Sequence, residues 1–262
     1  MSEPRAEGAR SSVTTLSFLA VIVLAVAGFV VLGDGDAEGK GRVALAKLTA
    51  STTDTTLREA PEDPSPMQAT DGEVVHPLRT LPLYAKPGGK PFAKIGPRQM
   101  GETWLPVVDR RGGWSRVLLP SRPNGSTGWV RTDQVERRTS PYLIRVHLGS
   151  RSLELFHEGT NVGSWTVAIG RPETPTPAGR TFLLGSITDE KQSFSPVILP
   201  LGAHSDTLDT YGGGPGTVAI HGWPDSSVFG SAVSHGCVRV PGDALNRLTR
   251  VPLGTVVIVD KQ

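Results

Sequence analysis

The chain has a single cysteine, Cys237, in 262 residues. That excludes an internal disulfide framework and any zinc site built on several thiolates. It also lacks charge of one sign. Its 27 basic and 25 acidic residues leave a formal +2, too little to argue for a nucleic-acid partner. Long helical patterns are scarce, because 31 Gly and 22 Pro make about a fifth of the chain turn material, and a coiled coil or helical bundle is excluded. What is present is an ordinary globular composition, 37% hydrophobic and 20% charged, with length for one or two domains.

One uncharged run stands out, Val13 to Leu32. Twenty residues at about 1.5 Å each span roughly 30 Å, the thickness of a bilayer core. Ala25-Val26-Ala27 resembles a signal-peptide cleavage site, but the apolar run continues through Phe29 to Leu32, which favours an uncleaved anchor. Basic residues flank both sides (Arg5 and Arg10; Lys40, Arg42 and Lys47), so charge does not set orientation. The expected organisation is a cytoplasmic tail over 1–12, a transmembrane helix over 13–32 and a flexible linker over 33–71. Residues 34–71 carry a net −4 and are rich in Gly, Ser, Thr and Pro, and as a coil they would span roughly 35 Å.

Residues 72–140 carry a net +7. Short apolar runs (Val74-Val75, Leu81 to Tyr84, Trp104 to Val108, Trp114 to Leu119, Gly128 to Val130) alternate with turns at roughly ten-residue spacing, the pattern of a small barrel or sandwich. Gly112-Gly113-Trp114, a Pro-Asn-Gly turn and Gly128-Trp129-Val130 resemble a bacterial SH3-like domain over 72–138. Such a unit either binds the wall through its basic face or acts as a spacer whose tryptophans pack as core.

From 141 to 262 the pattern stays β. Ile144, Val146 and Leu148 alternate with Arg145 and His147. A turn at Glu158 to Asn161 joins Leu153–Phe156 to Trp165–Ile169, and strands are expected at Phe182–Leu184, Val197–Leu199, Val218–Ile220 and Val256–Val259. One short helix is expected over Asp243–Arg250 with Leu245 and Leu248 inward. The Thr174-Pro175-Thr176-Pro177-Ala178-Gly179 run reads as a turn. The glycine-rich stretch from Tyr211 to Gly216 lacks the Lys-Ser/Thr of a phosphate loop.

Chemistry concentrates between His221 and Arg239. His221 ends an apolar strand, and the only thiol follows sixteen positions later within Ser234-His235-Gly236-Cys237-Val238-Arg239. A free thiol with a pKa of about 8.5 is only a few per cent ionised at neutral pH. A neighbouring imidazole can take that proton to form an ion pair, then return it to a leaving amine. Gly236, without a Cβ, lets a carbonyl approach backbone N–H donors.

His221-Gly222, a loop, then Ser234 to Arg239 resemble the signature of the L,D-transpeptidase catalytic domain family, together with the TPTPAG turn and the VAIHG strand. The likeness runs over roughly Pro141–Asp260. It implies a mainly β fold: an L,D-transpeptidase-type β-sandwich over 141–262, preceded here by the small SH3-like barrel and the membrane helix. It further implies Cys237 as nucleophile, His221 as general base and acid, and a pocket and oxyanion hole involving Ser234, His235, Gly236 and the Cys237 backbone. Arg239 would hold the loop or a substrate carboxylate. No metal or other cofactor is implied. The implied partners are peptidoglycan stem peptides as donor and acceptor, the cytoplasmic membrane through 13–32, and carbapenem β-lactams as inhibitors. The implied reaction is a 3→3 cross-link through a cysteine thioester, on the outer side of the membrane. Water as acceptor would make a carboxypeptidase, and a protein acceptor a wall-anchoring enzyme. A sortase-like enzyme shares the His, Cys, Arg order but lacks Ser-His-Gly before the cysteine. A papain-like hydrolase has the opposite order. A wall-binding protein with an inert thiol is the non-enzymatic alternative.

Overall fold

The apolar alternation seen in the sequence becomes strands almost throughout. The computed structural model describes residues 44–188, 193–210 and 214–262. The expected tail, the membrane helix and the first part of the expected linker lie outside the described residues.

Nine strands occupy the first half of the described chain: β1 (Glu73–Pro77), β2 (Leu81–Tyr84), β3 (Pro91–Ile95), β4 (Arg98–Gln99), β5 (Gly101–Glu102), β6 (Leu105–Arg111), β7 (Trp114–Leu118), β8 (Thr127–Arg131) and β9 (Val135–Thr139). Seven form one antiparallel sheet in the order β3-β2-β8-β7-β6-β1-β9, and β4 pairs with β5 alone. Leu81 and Leu83, Ala93 and Ile95, Val107 and Val117 point into a common core. Strands β3 and β9 carry no clear apolar signal. They are the two edges of the sheet; β3 opens on a proline, and β9 reads Val-Glu-Arg-Arg-Thr. Trp104 and Trp129 are buried, whereas Trp114 is half-buried, with Tyr84 edge-on at 5.0 Å and the Arg131 guanidinium over its ring.

The flexible linker expected over 33–71 is corrected for its described part. Ala50 bridges to Lys94, Thr56 to Arg122 and Glu62 to Ser126, so the chain lies along the sheet as a strap. Ser51, Thr53, Leu57 and Asp63 are buried. Composition misleads here because few apolar side chains take part. Backbone hydrogen bonds hold the strap, such as Leu57 N–H to the Arg122 carbonyl at 2.8 Å, and one buried ion pair completes it. Arg180 donates to both Asp63 oxygens, with Nε to Oδ2 at 2.8 Å, and to the Gln68 carbonyl at 2.8 Å.

The second half comprises β10 (Tyr142–His147), β11 (Ser152–His157), β12 (Thr160–Thr166), β13 (Ile169–Gly170), β14 (Gly179–Phe182), β15 (Ile198–His204), β16 (Thr217–Gly222), β17 (Ala232–Ser234), β18 (Val238–Val240), α1 (Gly242–Leu248) and β19 (Val256–Asp260). A five-stranded sheet, β12-β11-β10-β19-β14, and a three-stranded sheet, β15-β16-β18, enclose one core with Leu245 and Leu248 of α1. The β11–β12 hairpin turns on Glu158 and Gly159 with φ of 50° and 77°, the left-handed pair that matches strand twist.

The two halves interlock. Phe182, at the end of β14, and Leu184 just beyond it pack into the first core. Ser140 and Thr255 hydroxyls meet at 2.6 Å, and Asn124 exchanges two hydrogen bonds with the His204 backbone, each 2.8 Å.

Candidate active site

Strands β16 and β18 run parallel, with His221 opposite Arg239. Paired residues of parallel strands share a face, and side chains alternate with period two. Cys237 stands immediately before β18, two residues from Arg239. Arg239 lies near enough to influence the charge of both His221 and Cys237. The structure thus sets His221 and Arg239 opposite one another, with Cys237 leading into β18.

The imidazole is fixed in one tautomer. His221 is buried, and its Nδ1 lies 2.7 Å from the Gly222 carbonyl. A carbonyl only accepts, so Nδ1 carries the proton and Nε2 keeps a lone pair. Gly222 is itself held, since its N–H donates to Ser195 Oγ at 2.8 Å while Ser195 donates to the Val197 carbonyl at 2.6 Å.

Burial lowers the His221 pKa. The Gly222 hydrogen bond opposes this and Arg239 adds to it. Burial raises the Cys237 pKa, with the Ala219 backbone and Arg239 acting the other way. Both shifts favour neutral forms. In each group burial is the largest cause of the shift.

The Ser234–Cys237 turn is tied from inside and outside. Ser234 Oγ accepts the Gly236 N–H at 3.1 Å and donates to the Cys237 carbonyl at 2.6 Å. The buried Ser234 hydroxyl braces the turn, and the Gly236 N–H is committed to it. Gly236 has φ +114°, a conformation that side chains resist. His235 is half-buried on the same turn. Arg239 exchanges backbone hydrogen bonds with Ala168 at 2.8 and 2.9 Å, and its guanidinium carbon lies 3.5 Å from the Trp223 ring centroid. That fits the loop-holding half of its expected role.

Some partners lie outside the sequence signature. Phe194 meets the His221 ring edge-on at 5.0 Å, and Trp223 lies 6.0 Å from it, forming an aromatic wall. Trp223 is visible in sequence as the residue two beyond His221, whereas Phe194 and Ser195 carry no signal. Thr174 and Thr176, read only as turn residues, clamp the cysteine turn through their hydroxyls. Among the described residues no three His, Cys, Asp or Glu side chains converge as a metal site requires.

Residues 141–259 match the sequence profile of the L,D-transpeptidase catalytic domain, YkuD. The chain is also similar to YkuD of Bacillus licheniformis, 32% identical over 152 residues, covering 55% of this chain and 85% of that protein. It belongs to the L,D-transpeptidase family. YkuD of Bacillus subtilis is 28% identical over 124 residues, covering 47% of this chain and 68% of the other. An L,D-transpeptidase structure from Mycobacterium tuberculosis aligns with 15% identity over 60% of this chain and 93% of its own, with a TM-score of 0.42. The chain is thus a cell-wall L,D-transpeptidase, a cysteine-dependent acyltransferase.

Proposed function

We propose that Cys237 is the nucleophile and His221 its general base in forming 3→3 peptidoglycan cross-links. The observation that carries the assignment is the tautomer lock: Nδ1–H is committed to Gly222, so Nε2 is left as the proton acceptor, on the strand paired with the one that Cys237 leads into. The sulfur attacks the carbonyl of the third, diamino residue of a tetrapeptide stem as Nε2 takes the thiol proton. The tetrahedral intermediate collapses to a thioester, and the imidazolium returns the proton to the departing D-Ala amine. A side-chain amine of a neighbouring stem then displaces sulfur. Water in its place yields the carboxypeptidase product.

The reading extends to setting. Residues 13–32 anchor the chain in the cytoplasmic membrane, with the body on the wall side where such stems lie. Residues 72–138 form an SH3-like unit, and carbapenems acylate Cys237. The test is to incubate the full chain with purified disaccharide-tetrapeptide and weigh products and protein. A dimer one D-Ala lighter than two donors supports the assignment. Dimer from Cys237→Ala protein would overturn it.

A further inference from the structure

The most informative bonds outside the reacting pair belong to Thr176. Its Oγ1 accepts the Gly170 N–H at 2.9 Å and lies 2.8 Å from the Gly236 carbonyl, all of it buried. An amide N–H can only donate, so the hydroxyl hydrogen is committed to the Gly236 oxygen. That oxygen belongs to the peptide unit whose N–H is that of Cys237. In a planar trans peptide the C=O and N–H point in opposite directions. Fixing the carbonyl toward Thr176 therefore aims the Cys237 N–H away from it, and among the described residues that N–H meets no acceptor.

A second observation shows how closely Thr176 is seated. A Cβ placed on Gly170 would lie 2.4 Å from the Thr174 carbonyl oxygen and 2.5 Å from the Thr176 nitrogen. Glycine at 170 thus lets the Thr174–Thr176 turn reach the cysteine turn. Thr174 Oγ1 and the Arg171 N–H both donate to the Ser234 carbonyl, at 3.2 and 3.0 Å. They hold the start of the turn, not the peptide unit ahead of Cys237.

We propose that Thr176 is a positioning residue that orients the Cys237 N–H toward the oxygen on which negative charge develops during acylation. The inference rests on Cys237 being the nucleophile. Since the Gly236 N–H is spent on Ser234, the Cys237 N–H is a donor whose direction a single hydroxyl sets. Loss of an oxyanion donor costs roughly 10²–10³ in rate, and misdirecting one costs part of that.

The test compares two reactions of the same sulfur in the full chain. Acylation by imipenem passes through an oxyanion, whereas alkylation by iodoacetamide does not. Thr176→Val keeps the shape and removes the hydroxyl, so imipenem acylation should slow by about tenfold or more while the alkylation rate and its pH profile stay at wild type. Thr176→Ser should restore acylation, and Thr174→Val should cost less than Thr176→Val. If the valine variant does not fold, Thr176→Ala carries the same pair of measurements. Unchanged acylation, or acylation and alkylation falling together, would overturn the positioning role. Wild-type protein that is not acylated, or a Cys237→Ala protein that is, would instead refute the nucleophile.

Discussion

The seven-stranded sheet and the surroundings of Cys237 meet the same demand by different means, since buried backbone groups must find partners in either place. In the sheet the partners are neighbouring strands, through ladders such as the five-residue pairing of β1 with β9. Around Cys237, strands β13, β17 and β18 are two or three residues long. Hydroxyls of Thr174, Thr176, Ser195 and Ser234 make many of the bonds that a ladder would otherwise supply. A ladder depends little on side-chain identity. A hydroxyl brace depends on it wholly, so single atoms set the direction of single peptide groups. The difference separates substitutions that lower stability from those that lower rate.

The largest effect should come from the sulfur itself. Cys237→Ala should lose all carbapenem adduct and all cross-linked product, with an unfolding temperature near that of wild type. Intact-protein mass spectrometry and a thermal melt check both halves. Cys237→Ser should be nearly as inactive, because an alkoxide is far harder to form beside the same base.

Removing the base comes next. His221→Ala should slow acylation by about 10²–10⁴. In wild type, burial holds the imidazole pKa below its ordinary value. The base therefore stays neutral as pH falls past about 6.5, and the acid limb of the acylation rate should lie lower still. Iodoacetamide alkylation should rise only on the alkaline side of a free thiol, since burial raises the Cys237 pKa. A plateau already present at neutral pH would mean a resting ion pair and break this picture.

On the sheet side, Asp63→Asn leaves the buried Arg180 charge without its counter-ion, and should cost about 3–5 kcal/mol of stability. Acylation per folded molecule should hardly change; a fall in rate with stability intact would blur the distinction between the regions. Denaturant titration alongside single-turnover acylation separates the two.

The smallest effect concerns His147, which lies between Asp260 at 2.9 Å and Glu154 at 3.2 Å. Burial pulls its pKa down, but the two carboxylates outweigh that and raise it overall. With the native value above the unfolded one, this stabilisation is complete below about 6.5 and lost as pH climbs through the native value. His147→Gln should flatten the pH dependence of stability in that window, as measured by melts across a pH series.

The reactive residues are legible in sequence because His221 and the Ser234–Arg239 run lie on adjacent strands and within twenty positions of one another. Their supports are not. Thr176 lies sixty positions from Gly236, and a threonine in a proline-rich run reads as a turn residue until its hydroxyl is seen to have a partner. The strap over 50–71 escapes for a related reason, being held by backbone bonds and by an arginine more than a hundred residues away. The pKa shifts of His221 and Cys237 arise first from burial, which no local motif encodes. Most core strands are legible because they alternate; edges such as β9 bury too little to do so.

The interlocking of the halves bears on modularity. The family profile begins at residue 141, but the boundary set by burial lies elsewhere. Phe182 and Leu184 pack in the core of the preceding sheet, and Arg180 finds its carboxylate in the strap before that sheet. A chain severed at 141 would present a naked cation and two large apolar side chains to water. The stretch matched by the profile and the stretch that buries these side chains are therefore different pieces of chain. A transplant of the catalytic half into another protein would have to carry the strap and the sheet with it.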